Sequence, residues 1–172
     1  MPAPRRIVGL LVLAITVSGL VGCDFVSKRY AQDRYAGREP APVISGILDL
    51  RYVENRDVAF RALRWIPAEY RKPLVLAMVG ASIVALCAAI LFLRRGTLGE
   101  RAALVLVLAG AAGNFLDRAT LGYVIDFIDF GFWPTFNLAD VYLSAGGIVL
   151  FVWGRRLLNE KTWARPLPPS LE

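Results

Sequence analysis

Four aspartates, Asp24, Asp117, Asp126 and Asp140, stand at or beside the ends of long apolar stretches, where a carboxylate is costly and usually has a task. Simple structural duties suggest themselves for some of them. Asp24 and Lys28 at i,i+4 spacing allow a helix-surface pair, Asp117 followed by Arg118 allows a local charge pair, and Asn137 or Asp140 could cap a helix. Asp126, set between Ile125 and Phe127, has no such duty, and with Asp140 it makes the best candidate catalytic pair. Two carboxylates held close together share a proton, so one activates water while the other protonates or hydrogen-bonds a scissile carbonyl. That is peptide hydrolysis without a metal or a covalent intermediate, and its titration belongs to the pair rather than to either residue.

Polar residues around these acids fall into helical stripes. Gly110, Asn114 and Asp117 share one face at i, i+4 and i+7, with Gly110 letting a neighbouring backbone approach; Asn137, Asp140 and Ser144 form a matching stripe at i, i+3 and i+7. The two stripes are expected to face each other.

The elements that must carry them are membrane spans. Over 172 residues the chain is 56% hydrophobic and 20% charged, with a mean hydropathy of +0.52, too apolar for a soluble domain of this size. Ile7 to Gly22, Leu74 to Leu93, Ala102 to Leu116 and Leu138 to Trp153 carry no charge except Asp140. Extended by their flanks they predict an all-α polytopic membrane protein of four transmembrane helices, about 7–27, 74–93, 98–117 and 138–155, in one membrane-embedded domain over 1–172. Arg5 and Arg6 before the first span, Arg94, Arg95 and Arg101 between the second and third, and Arg155, Arg156, Lys161 and Arg165 after the fourth put both termini in the cytoplasm. Segments 29–73 and 118–137 are then external, and the polar residues converge on the outer face. In the first segment, Val43 to Phe60 reads as a small strand-bearing platform around Gly46, and Ala62 to Lys72 as a short helical piece interrupted near Pro67. The second is crowded with Tyr123, Phe127, Phe130, Phe132, Trp133 and Phe136, an interfacial aromatic belt that leaves Asp126 and Asp129 unexplained.

A net charge of +6 and a pI near 9.7 follow from this topology rather than from a nucleic-acid surface, and no DNA or RNA module is visible. With no His and two Cys, Cys23 and Cys87, common zinc sites and His-dependent triads are excluded within the chain. No metal and no cofactor is implied, and activity is expected to be indifferent to chelators. A Cys23–Cys87 disulfide would join a helix end to the middle of another span, which is geometrically unattractive. Leu20-Val21-Gly22-Cys23 looks like a lipobox, so cleavage after Gly22 and lipidation of Cys23 is one rival reading; a non-enzymatic membrane scaffold or small transporter is another.

Gly113-Asn114-Phe115-Leu116-Asp117-Arg118, then Tyr123-Val124-Ile125-Asp126-Phe127, then Phe136-Asn137-Leu138-Ala139-Asp140 resemble the successive blocks of the lipoprotein signal peptidase (signal peptidase II) family, four-span aspartyl proteases of the bacterial inner membrane. Asp24 with Lys28, and Asn55 through Ala59-Phe60, resemble its earlier blocks. The resemblance implies that Asp126 and Asp140 are the catalytic dyad, that Asn55, Asn114, Arg118 and Asn137 hold substrate or shape the site, and that Asp117 is supporting. It also implies cleavage of prolipoproteins before a diacylglyceryl-modified Cys, and inhibition by globomycin-like cyclic peptides; a monomer is expected. Phe25, where the family commonly has Gln, and Asp57, where it commonly has Gly, depart from the pattern without touching the proposed dyad.

Overall fold

The computed structural model describes residues 3–56, 65–92 and 97–163. Along the chain run α1 (Ala3–Tyr35), β1 (Ala41–Ile44), β2 (Leu48–Asn55), α2 (Ala68–Phe92), α3 (Leu98–Thr120), β3 (Val124–Asp129) and α4 (Leu138–Trp163). Three helices are long and apolar enough to cross a membrane by length and composition, over Ile7–Tyr35, Glu69–Leu91 and Leu98–Thr120; Leu138–Gly154 is a shorter apolar helix. Large apolar side chains line their outer faces, Ile15 at 71% and Val84 at 69% exposure, as suits helices surrounded by hydrocarbon. Cys23 and Cys87 are both free thiols.

α1 continues to Tyr35, about two turns beyond the span end expected near residue 27. Its polar residues Asp24 and Lys28 are satisfied inside the protein, so the change in composition does not end the helix. α2 likewise begins before its apolar run, at Ala68 directly after Pro67, and takes Pro73 into its body. Of the helical piece expected over Ala62 to Lys72, residues 65–67 form a turn and not a helix, and 62–64 lie outside the described residues, as do Asp57, Ala59, Phe60 and the Arg94-Arg95 turn.

α3 is the central helix, packed against α1, α2 and α4. It opens with a capping box: the Thr97 hydroxyl accepts from the Glu100 amide at 3.3 Å while the Glu100 carboxylate accepts from the Thr97 amide at 2.7 Å. Small residues let α3 and α4 approach closely. A Cβ at Gly146 would come 2.6 Å from the Ala103 carbonyl oxygen and 2.7 Å from Val107 Cγ2, whereas one at the adjacent Gly147 would meet nothing within 4 Å. Gly146→Ala is therefore expected to destabilise the protein by about 1–3 kcal/mol through overpacking, and Gly147→Ala to be neutral or slightly stabilising. Thermal unfolding of the two variants in detergent checks this; equal midpoints would contradict the packing.

The external connections build one antiparallel sheet in the order β1-β2-β3. The first hairpin is closed by the Ile47 amide donating to the Ile44 carbonyl at 2.9 Å. β2 comes from the segment expected to be strand-bearing, while β1 starts two residues before its expected beginning at Val43 and includes Pro42. β3 comes instead from the segment read as an aromatic belt, and pairs Leu50 with Ile128, Val53 with Asp126 and Asn55 with Val124. The protein is thus mostly helical with a three-stranded antiparallel sheet set against the helices, and the site forms where sheet, α1, α3 and α4 meet.

Candidate active site

Strand register brings the first two polar residues together. Asp126 sits opposite Val53 and Asn55 opposite Val124, so Asn55 and Asp126 are diagonal neighbours on one face, and Asn55 Nδ2 donates to Asp126 Oδ2 at 2.8 Å. The chain then turns back on itself. Asp129 Oδ1 accepts the Gly131 amide at 2.8 Å, and Phe136 bridges to β3, its amide donating to the Ile128 carbonyl at 3.0 Å and its carbonyl accepting from the Ile128 amide at 2.8 Å. Pinned there, the next residue, Asn137, reaches Asp126: its Nδ2 donates to Asp126 Oδ1 at 2.6 Å.

Asn137 also opens α4 with a reciprocal cap. Its Oδ1 accepts the Asp140 amide at 3.0 Å and Asp140 Oδ2 accepts the Asn137 amide at 3.2 Å. The capping role foreseen for these residues is therefore present, and it holds Asp140 rather than competing with the site. The other oxygen, Asp140 Oδ1, accepts from Asn114 Nδ2 at 2.8 Å, and Asn114 Oδ1 accepts from Asn137 Nδ2 at 3.2 Å. Asn137 thus contacts both carboxylates. Asp126 is 2% exposed and Asn137 fully buried. Burial raises the Asp126 carboxyl to about 6, the charge of Asp140 pushes the same way, and the hydrogen bonds from Asn55 and Asn137 oppose both.

Behind this pair lies a buried cation. Lys28 Nζ is 2.7 Å from Asp24 Oδ2, 2.9 Å from Asp117 Oδ2 and 3.0 Å from Asn114 Oδ1. Each acid also ties down another element: Asp24 Oδ1 accepts the Ala139 amide of α4 at 2.8 Å, and Asp117 Oδ2 accepts the Ile125 amide, beside Asp126, at 3.3 Å. A Cβ at Gly113 would lie 2.6 Å from Asp24 Oδ2, and one at Gly110 would collide with the Ala139 carbonyl, so both positions admit only glycine at this spacing. Such a network is a weak source of net stability, but removing one member strands a buried charge at about 3–5 kcal/mol.

Several expectations change at this point. Asp24 and Lys28 do pair, yet each is only 1% exposed, so this is no surface pair. Asp117 pairs with Lys28 rather than with Arg118. Arg118 Nη1 donates to the Asn114 carbonyl at 3.3 Å, and its half-buried charge faces Asp140, Asp126 and Asp117. Ser144 is exposed and does not join the α4 stripe, because the buried side of α4 turns with Ala139 and Gly146. Asp129 is buried but belongs to the sheet, 2.8 Å from Arg51 Nε. Arg51, the bridging role of Phe136 and the amides of Ile125 and Ala139 escaped the sequence, since their parts depend on strand pairing and backbone approach. Phe25 is 49% exposed under the Arg29 guanidinium, 5.3 Å from its ring centroid. Cys23 lies mid-helix at an apolar cavity of about 580 Å³ between α1 and the sheet. Among the described residues no group of three or more His, Cys, Asp or Glu side chains is arranged to hold a metal ion.

Known proteins resemble this chain over most of its length. The chain is 37% identical over 147 residues to a lipoprotein signal peptidase of Moorella thermoacetica, covering 86% of this chain and 89% of that one. It is 33% identical over 144 residues to a lipoprotein signal peptidase of Clostridioides difficile, covering 78% and 88%. A solved structure described as a bacterial membrane enzyme superposes with a TM-score of 0.70 at 25% identity, over 91% of this chain and 93% of the other. Residues 16–155 match the family model described as signal peptidase (SPase) II, and the chain belongs to that family.

Proposed function

We propose that Asp126 and Asp140 are the catalytic dyad with which this membrane-embedded aspartic-type protease removes signal peptides from prolipoproteins, cutting immediately before the diacylglyceryl-modified Cys. The observation that carries the assignment is Asn137, which hydrogen-bonds both carboxylates and so fixes their separation. In the shared-proton state the ionised carboxylate takes a proton from water as its oxygen attacks the scissile carbonyl carbon, and the other carboxylic acid protonates the carbonyl oxygen. The tetrahedral intermediate then collapses. The acid that gained the proton delivers it to the departing amide nitrogen, the C–N bond breaks, and the intermediate's hydroxyl proton returns to the partner. Asn55, Asn114 and Asn137 hold the carboxylates, Arg118 offsets their charge and offers donors to the substrate backbone, and Asp24, Lys28, Asp117 and Gly110 support the site from behind.

The same reading places the chain in the bacterial inner membrane as a single-domain monomer with four spans, α1, α2, α3 and residues 138–155, both termini cytoplasmic. The basic residues that precede the first span, lie between the second and third and follow the fourth in sequence support this orientation, which sets the dyad near the outer face beside the aromatic segment. Globomycin-like cyclic peptides would then bind against the dyad. Incubating the purified protein with a diacylglyceryl-modified prolipoprotein, with and without globomycin, tests the function: globomycin-sensitive release of the signal peptide is expected, and an intact substrate would refute it. Labelling of cysteines introduced into 118–137 by an impermeant reagent checks the orientation.

A pH dependence follows from the raised Asp126 carboxyl. With the Asp126 carboxyl raised to about 6, the proton the pair needs is held below that pH and lost above it. Values of kcat/KM, which report the free enzyme, are expected to fall about tenfold per pH unit above roughly 6. Stability has the corresponding sign: because the folded carboxyl lies above its ordinary 3.8, its contribution is present at low pH and lost as pH rises to about 6. A flat profile between pH 5 and 8 would contradict this.

A further inference from the structure

We infer that Lys28 is a positioning residue that sets the polarity of the hydrogen bonds reaching both aspartates, by fixing which end of the Asn114 side-chain amide faces Asp140. The inference rests on the dyad assignment above. An ammonium has three donors and no acceptor, and Lys28 Nζ spends them on Asp24 Oδ2 at 2.7 Å, Asp117 Oδ2 at 2.9 Å and Asn114 Oδ1 at 3.0 Å. Every partner must therefore present an acceptor. The two ends of an asparagine amide are nearly identical in shape and opposite in polarity, so a neighbouring cation decides which way it lies. With its carbonyl turned to Lys28, Asn114 has only its amino end left for Asp140, 2.8 Å from Nδ2 to Oδ1.

The polarity passes one residue further. Asn114 Oδ1 also accepts from Asn137 Nδ2 at 3.2 Å, so Asn137 shows its amino end to Asn114 and to Asp126, at 2.6 Å, and its carbonyl to the Asp140 amide, at 3.0 Å. One buried cation, touching neither catalytic carboxylate, thus orients two amides that donate to the pair. Flipped, Asn114 would set its carbonyl against Asp140 Oδ1, a contact tolerable only if Asp140 carries a proton there. The ionisable groups facing this network are Asp24 from α1, Asp117 and Arg118 from α3, Asp126 from β3 and Asp140 from α4.

The test compares full-length Lys28→Met and Lys28→Met/Asp117→Asn with the parent protein on the lipidated substrate, following kcat, KM, the pH profile and thermal unfolding. Lys28→Met is expected to lower kcat on the order of 100-fold, as misplacement of a reacting group does, with KM little changed and the high-pH limb displaced upward because a cation is gone. The double variant removes one of the two stranded carboxylates, that of Asp117, so it should regain part of the lost thermal stability without regaining kcat. Parental kcat and an unmoved pH profile in folded Lys28→Met would overturn the inference, and so would recovery of kcat together with stability in the double variant. Turnover by Asp126→Asn in the same assay would instead sink the dyad assignment, leaving the two failures distinguishable.

Discussion

Asp126→Asn and Asp140→Asn are each expected to lower turnover by about 10³-fold or more, within the range that positioned acid–base groups contribute, while the protein stays folded in the membrane. The amide keeps the size of the carboxylate but neither titrates nor takes a proton from water. At Asp126 the substitution has a second, smaller consequence. Both oxygens accept from asparagine amino groups, Asn55 at 2.8 Å and Asn137 at 2.6 Å, so an Asn there turns its own amino group against one of them. Loss of that bond should cost about 1 kcal/mol in stability, far too little to account for a 10³-fold effect. Initial rates and unfolding midpoints measured on the same preparations separate the two effects. Near-native cleavage by either variant would refute the dyad.

Removing the diacylglyceryl group from the substrate, with the peptide unchanged, is expected to lower kcat/KM by about 10³-fold. Burial of a methylene group is worth about 0.8 kcal/mol, so five of them contribute about 4 kcal/mol, whereas one hydrogen bond from Asn55 or Asn114 supplies about 1 kcal/mol. The acyl chains also fix depth, holding the scissile bond at the level of the dyad, so that kcat should suffer as well as KM. Competition between lipidated and unlipidated peptides measures the ratio directly, and equal kcat/KM values would mean that the peptide alone carries recognition.

Hydropathy made the helices legible, because a span must be apolar over about 20 residues whatever it packs against. It did not fix their ends. α1 runs on to Tyr35 because the partners that satisfy Asp24 and Lys28, namely Asp117, Asn114 and the Ala139 amide, come from α3 and α4. Helical spacing put Gly110, Asn114 and Asp117 on one face, and α3 does bury all three. The same reasoning failed at Ser144, since a stripe read from polarity alone does not say how far along α4 the site extends. β3 was hidden for a different reason: Val124, Ile125 and Asp126 are all buried, so the strand lacks the alternation of a one-sided sheet, and its aromatic neighbours resemble an interfacial belt. The meeting of Asn55 with Asp126 is a matter of register across 71 residues of sequence, which no local pattern encodes.

One carboxylate pair is proposed to cut one bond. Mass spectrometry of the products from a purified, diacylglyceryl-modified prolipoprotein tests it most directly, run with the parent protein and with the Asp126→Asn/Asp140→Asn double variant. A single cut that leaves the lipid-modified Cys with a free α-amino group is expected from the parent protein, and no product from the double variant. A cut at any other bond, or the same product from the double variant, would contradict it.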